Sequence, residues 1–279
     1  MNTHQPTITA VIIAKNEETM IANCIETVRW CQEILVIDNG STDTTAELAK
    51  SLGARIVSYK SNSFADLRNQ ALKYVKTDWL FYLDADERVT PRLQQEISVH
   101  METKSSAALD MNRENVMYGK VFKHGGWQND WVTRVFYRET FQGWQGEVHE
   151  SAHFKGQAIQ LHTPLVHLTH RNTLDGLVKT MNWTPIEAEL MFKAGAESVK
   201  LSTLIRKSLM EVFRRAISRQ GRLDGIEGWI EALVQGMNRF LVYVQLWEKQ
   251  QQPNLKEKYS QKELEIANLW KAQKNRPSV

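Results

Sequence analysis

Apolar residues in the first ninety positions come in short unbroken runs, each followed by a polar cluster and then a helical repeat. Ile8 to Ile13 is a β-branched run, the form of a strand buried on both faces. Past Asn16-Glu17-Glu18, the residues Ile21, Cys24, Ile25 and Val28 share one side of a helix. Glu33 to Ile37 predicts a second strand. It ends at Asp38-Asn39-Gly40-Ser41-Thr42-Asp43, a dense set of turn and capping residues. A helix from Thr44 to Leu52 stops at Gly53, which suits the left-handed residue past a helix end. Ala54 to Tyr59 predicts a third strand and Phe64 to Val75 a third helix. Trp79 to Leu83 predicts a fourth strand, which runs into Asp84-Ala85-Asp86-Glu87.

Strands alternating with helices of about ten residues are the pattern of βαβ units on a mostly parallel sheet. In open sheets of that kind the ligand site lies outside the carboxyl ends of the strands. Lys15-Asn16-Glu17, Asp38 to Asp43 and Asp84 to Glu87 all follow strands, so they should converge on one crevice. From Ser105 to Arg171 the texture becomes rich in Gly, Trp, His and Thr, which reads as strands and loops closing over that crevice. From Asn172 onward the period is helical. Leu201, Leu204, Ile205, Leu209, Val212, Phe213, Ala216 and Ile217 form one apolar stripe, and Gln251 to Val279 reads as a charged surface helix.

Composition narrows the class. Apolar content of 42% and charged content of 24% are those of a folded globular chain, and a net charge of +3 is too small to indicate a nucleic-acid partner. Cys24 and Cys31 fit no zinc or redox spacing, so free thiols in a reducing compartment are expected. No basic start leads into an apolar stretch at the N-terminus, and a cytoplasmic protein is expected. The greasiest stretch, Trp229 to Trp247, is broken by Glu231, Gln235, Asn238, Arg239 and Gln245, too polar to span a bilayer. Between Lys193 and Arg222 eight basic residues face two acidic ones. With the apolar stripe, this is the form of an interfacial amphipathic helix, giving an expected peripheral membrane contact. The alternative is a stripe that packs on the catalytic domain, with solvated charges.

Asp84-Ala85-Asp86 is the centre of the chemical reading. Two carboxylates just past a buried strand suit Mg²⁺ or Mn²⁺, which take one or two protein carboxylates plus substrate phosphates. Such a pair alone also describes a solvated turn. Asp38 can accept hydrogen bonds from a uracil or ribose, or cap the Thr44 helix, although Asp43 is better placed for the cap. Arg68-Asn69 lies on the third helix, and an exposed face is the plain alternative. His149-Glu150-Ser151-Ala152-His153 matches the H-E-x-x-H zinc peptidase form, which needs a helix. Gly143, Gly146 and Gly156 crowd it and argue against one. G-x-G-x-x-G after the first strand and the P-loop motif are both absent from the sequence. A non-catalytic nucleotide-sugar binding module is a further alternative, disfavoured by the intact carboxylates.

Four blocks in order resemble the nucleotide-binding half of family 2 glycosyltransferases with the GT-A fold: Val11 to Glu18, Val36 to Thr45, Phe64 to Asn69 and Tyr82 to Arg88. His124 to Trp127, Arg134 to Phe136, Val148 to Glu150 and Pro164 to His167 are similar to the subgroup containing lipopolysaccharide core β-glucosyltransferases of the WaaE type. The resemblance implies an α/β GT-A catalytic domain over residues 1–171, with a nucleotide-binding half over 1–90 and an acceptor half over 105–171. Residues 172–279 form a helical extension. It implies an inverting transfer from a nucleotide-sugar donor, UDP-linked, to a hydroxyl of a glycan or lipid-linked acceptor. By resemblance Ala14, Glu17 and Asp38 hold the uridine and Asp84 lies near the ribose, with Asn16, Arg68 and Ala85 in the same donor set. Asp86 binds the divalent metal, and His167 is a further metal ligand, the alternative being a core histidine near a strand end. Inversion requires a carboxylate base on the acceptor hydroxyl: Glu150 first, Glu147 second, Asp130 third. The family carries Asp at that position, so Glu is a departure.

Overall fold

A computed structural model describes residues 5–103, 106–146 and 150–274, and these divide into two compact units, Met1–Asn172 and Thr173–Val279. The first unit is built on a mixed sheet. Strand β1 (Ile8–Ala14) is buried at every position, as its unbroken apolar run requires. It pairs in parallel with β2 (Glu33–Asp38) and β4 (Trp79–Asp84), and β2 pairs in parallel with β3 (Arg55–Ser58). The register sets Ala14 opposite Asp38 and Ile13 opposite Asp84, so these residues share one edge of the sheet.

Helices cover both faces. On one side α1 (Ile21–Thr27), α2 (Thr45–Ser51) and α4 (Pro91–Thr103) bury Ile21, Ile25, Ala49, Leu93 and Ile97 against β1 and β4. On the other, α3 (Phe64–Leu72) buries Ala65, Leu67 and Ala71 beside Tyr82, Phe136 and Trp144. Ser63 caps α3 by accepting from Asp66 N at 3.3 Å, and Thr90, just before Pro91, accepts from Leu93 N at 3.2 Å to start α4. The Thr-Pro start of α4 is a helix signal that the hydrophobic pattern alone passes over.

After β5 (Glu87–Arg88) and α4, the sheet continues through β6 (Ala108–Met117), β7 (Lys120–Val121) and β8 (Trp131–Tyr137). A separate hairpin of β9 (Phe141–Gln145) and β10 (Ser151–Phe154) follows, then β11 (Ala158–Gln160) and β12 (Leu165–Leu168). The main order is β3-β2-β1-β4-β8-β6-β12-β5. Strand β8 runs antiparallel to both β4 and β6, joining the parallel part to the later strands.

The second unit is helical: α5 (Thr173–Lys193), α6 (Leu201–Phe213), α7 (Gly225–Lys249) and α8 (Leu255–Lys274). Ala188, Val199, Val242 and Leu246 form its small core. Among the described residues no helix is long and apolar enough to cross a membrane. The predicted stripe on α6 divides. Leu204 and Val212 are half-buried and Ala216 buried, while Leu201, Ile205, Leu209, Phe213 and Ile217 stand exposed.

Candidate active site

The carboxyl edge of β1, β2 and β4 is laced together by its own loops. Asn16, past the end of β1, has φ +55° and accepts Thr42 N at 2.7 Å, while its N–H donates to Ser41 Oγ at 3.0 Å. Glu17 N donates to Thr45 Oγ1 at 2.7 Å. Asp38 is buried and accepts Ser41 N at 3.1 Å; Asp43 takes Thr45 N at 3.1 Å, the capping contact expected of it. Ala14 accepts Asn39 N at 2.9 Å, and Ala85 is buried beneath the carboxylate pair.

Asp84 and Asp86 differ in surroundings. Asp84 binds Arg134 through Oδ2 and Arg68 through Oδ1, the latter at 3.3 Å. Burial by itself pushes the Asp84 carboxyl up, but Arg134, then Arg68 and Arg113, hold it well below the usual carboxylate range. Arg134 also binds Glu87, which is wholly buried and accepts Asp84 N at 3.0 Å. Arg134 and Glu87 therefore fix the loop that presents Asp86. Sequence reasoning gave neither a role, although an arginine inside the apolar strand β8 is a visible signal of a buried partner.

Asp86 faces His167. The ring Nε2 lies 3.5 Å from Asp86 Oδ2, and Nδ1 lies 2.7 Å from Asn115 Oδ1. The Asn115 amide donates to Asp130 Oδ2 at 3.0 Å and to Trp127 O at 3.2 Å, which turns its oxygen toward the histidine. Nδ1 therefore donates to Asn115, and Nε2 is the ring atom turned to the Asp86 carboxylate. An imidazole nitrogen and a carboxylate oxygen set side by side are ligand types that a divalent metal takes, so this donor set fits one. Among the described residues no cluster of three or more His, Cys, Asp or Glu side chains forms a complete metal cage. A hard cation bound by one or two protein ligands and substrate phosphates needs none.

Arg68 is not on an exposed face. It is 4% exposed, lies 4.6 Å from the Trp144 ring centre, and binds Glu150 as well as Asp84. Neighbouring Asn69 clasps β9 at both backbone groups of one residue, donating to Trp144 O at 2.8 Å and accepting Trp144 N at 2.8 Å. Gly143 allows this approach, since a Cβ there would lie 2.9 Å from Asn69 Oδ1. Glu150, just before β10, thus shares Arg68 with Asp84. Asp130 is held apart, bound to Arg113 by two 2.9 Å contacts. Burial raises its proton affinity, but the Arg113 hydrogen bonds and charge bring it below the ordinary range. Glu147 and His149 lie outside the described residues.

The zinc peptidase alternative is overturned. Ser151–Phe154 is a strand paired with β9, so His153 lies on extended chain and not on the helix that motif needs.

A mostly parallel sheet with paired carboxylates at its carboxyl edge, continued by antiparallel strands and a hairpin, has the GT-A fold. Residues 9–158 match the model described as "Glycosyl transferase family 2", and the chain belongs to that family. An uncharacterized glycosyltransferase of Rickettsia conorii is 24% identical over 86% of this chain and 90% of its own. A lipopolysaccharide core biosynthesis glycosyltransferase, LpsC, of Rhizobium meliloti is 36% identical over 32% of this chain and 34% of its own. Among solved structures, a mannosyltransferase from Pyrobaculum calidifontis in complex with GDP-Man and Mn²⁺ has a TM-score of 0.53 at 11% identity, covering 89% of each chain, which is a likeness of fold.

Proposed function

We propose that this glycosyltransferase inverts the anomeric centre, moving a sugar from a UDP-linked donor to a hydroxyl of a lipid-linked glycan on the cytoplasmic face of a membrane. The observation that carries this reading is Arg68, which binds Asp84 of the donor half and Glu150 of the acceptor half at once. A carboxylate of the acceptor half is thereby held beside the donor site, as in-line displacement requires. Glu150 takes the proton of the acceptor hydroxyl. The freed oxygen attacks the anomeric carbon from the face opposite the diphosphate, the bond to the phosphate oxygen breaks, and UDP departs. Ala14, Asn16, Glu17 and Asp38 line the uridine end. Asp84, locked by two arginines, shapes the floor of the donor site beside the ribose.

Asp86 and His167 would hold Mg²⁺ or Mn²⁺, which when bound neutralises charge on the departing diphosphate. The test measures turnover and UDP binding together. Asp86→Ala should abolish turnover and Mn²⁺-dependent UDP binding at unchanged melting temperature. Glu150→Gln should lower turnover by about a hundredfold or more and leave donor binding intact. Wild-type turnover in either variant removes that residue from its assigned role.

A further inference from the structure

The helical unit has a small buried core and many exposed large apolar side chains. On α6, Leu201, Ile205, Leu209 and Phe213 recur every fourth residue and are exposed, Leu209 and Phe213 to 63% and 61%, and Ile217 follows in the π-helical turn Arg214–Ser218. On α7, Ile226, Ile230, Leu233, Met237 and Phe240 are exposed at three- and four-residue steps, Leu233 to 58%, and Trp247 follows two turns on. Contiguous apolar surface on this scale marks an interaction face.

The two stripes lie on the same side of the helix pair. Gly236 of α7 packs on Ser208 and Val212 of α6, while Gly228 packs on Gly221 in the turn that joins them, so the helices are antiparallel. On α6 the packed positions Ser208 and Val212 are each followed by an exposed one: Leu209 and Phe213. On α7 the packed positions Gly228, Ala232 and Gly236 are likewise followed by Trp229, Leu233 and Met237. A step of one residue turns about 100° around a helix. Turning by the same step from a shared contact line carries both stripes of an antiparallel pair to one side. The result is a single two-helix apolar face.

Its margin is cationic. Lys200 precedes the α6 stripe, Arg206 flanks it, and Arg219 and Arg222 stand in the turn; all four are exposed. Arg214 and Arg215 are bound to Glu211, the only acidic residue between Lys200 and Arg222. Trp229 and Trp247 sit near opposite ends of α7, where amphipathic rings suit a headgroup layer. Anionic headgroups complement this cationic margin.

We infer that α6 and α7 together form a membrane-docking face that seats in the acyl boundary of a bilayer carrying anionic lipid. This deepens the lipid-linked acceptor reading, and its test uses no transfer assay, so the two fail separately. The full-length protein is sedimented with phosphatidylcholine vesicles, with and without phosphatidylglycerol, at low and high salt. Two variants are compared: Phe213→Ser/Leu233→Ser/Met237→Ser, and Lys200→Gln/Arg206→Gln/Arg219→Gln/Arg222→Gln. UDP binding with Mn²⁺ and circular dichroism verify that each is folded.

The wild type should bind phosphatidylglycerol vesicles and release with salt. The apolar variant should lose binding at every salt concentration, and the charge variant should bind anionic vesicles roughly a hundredfold more weakly while losing its salt dependence. Binding that survives both sets of substitutions overturns the inference. So does a wild type that ignores vesicles, or one that runs as a dimer which the apolar substitutions split, since the occupant would then be a second copy.

Discussion

Asn115 is wholly buried, and every polar atom of its side chain is committed: Nδ2 to Asp130 and Trp127, Oδ1 to His167. It acts on the proposed metal through another residue, by fixing which ring nitrogen of His167 faces Asp86. Asn115→Leu keeps the volume but leaves the imidazole free to turn. Mn²⁺ affinity measured calorimetrically in the presence of UDP should fall by about 10- to 100-fold, the usual cost of losing a partner behind a metal-binding histidine. UDP binding without metal should be unchanged. An equal loss in both measurements would mean the substitution acts through folding. Asp84, Asp86 and His167 were legible in the sequence as carboxylates and a histidine near strand ends. Asn115 was not, because an asparagine inside a strand carries no local mark of what it faces across the sheet.

Helices α6 and α7 meet through a gap left for one glycine. A Cβ on Gly236 would come within 2.4 Å of Val212 Cγ2. The residue weakens α7 as a helix but lets the two backbones approach. Gly236→Ala should therefore destabilise the protein by about 1–3 kcal/mol in denaturant unfolding, as overpacking does. Adding Val212→Ala should recover part of that loss, since the two substitutions share one contact. Additive losses would place the cost elsewhere. The period of α6 was legible as a stripe, but its division into packed and exposed positions was not. Leu204 and Ile205 are both apolar, and only the partner helix determines which of them meets it.

Across the catalytic unit, Asp84 and Asp130 carry depressed proton affinities from Arg134, Arg68 and Arg113, against burial that opposes them. Each binds fewer protons folded than unfolded, so the unfolded chain gains protons as pH falls. The stability they contribute is complete above the ordinary carboxylate value of about 4 and is lost as pH drops toward their lower folded values. Thermal unfolding of the whole chain should fall steeply below about pH 4. Asp130→Asn should flatten that slope, and a variant whose acid profile matches the wild type would show that Arg113 gives this carboxylate no net preference.

The sequence by itself determined the strand-helix alternation through Asp84, the family, and the carboxylate pair, because buried parallel strands and their turns leave local, periodic marks. Observed boundaries of β1 to β4 lie within a residue of those read from the pattern. The tertiary structure alone decided that Arg68 is buried between Asp84 and Glu150, that Arg134 and Glu87 fix the Asp86 loop, and that His153 lies on a strand. Each of these depends on contacts between residues far apart in the chain, 82 positions for Arg68 and Glu150. Such pairings are set by sheet register and hairpin placement, which spacing along the chain does not encode.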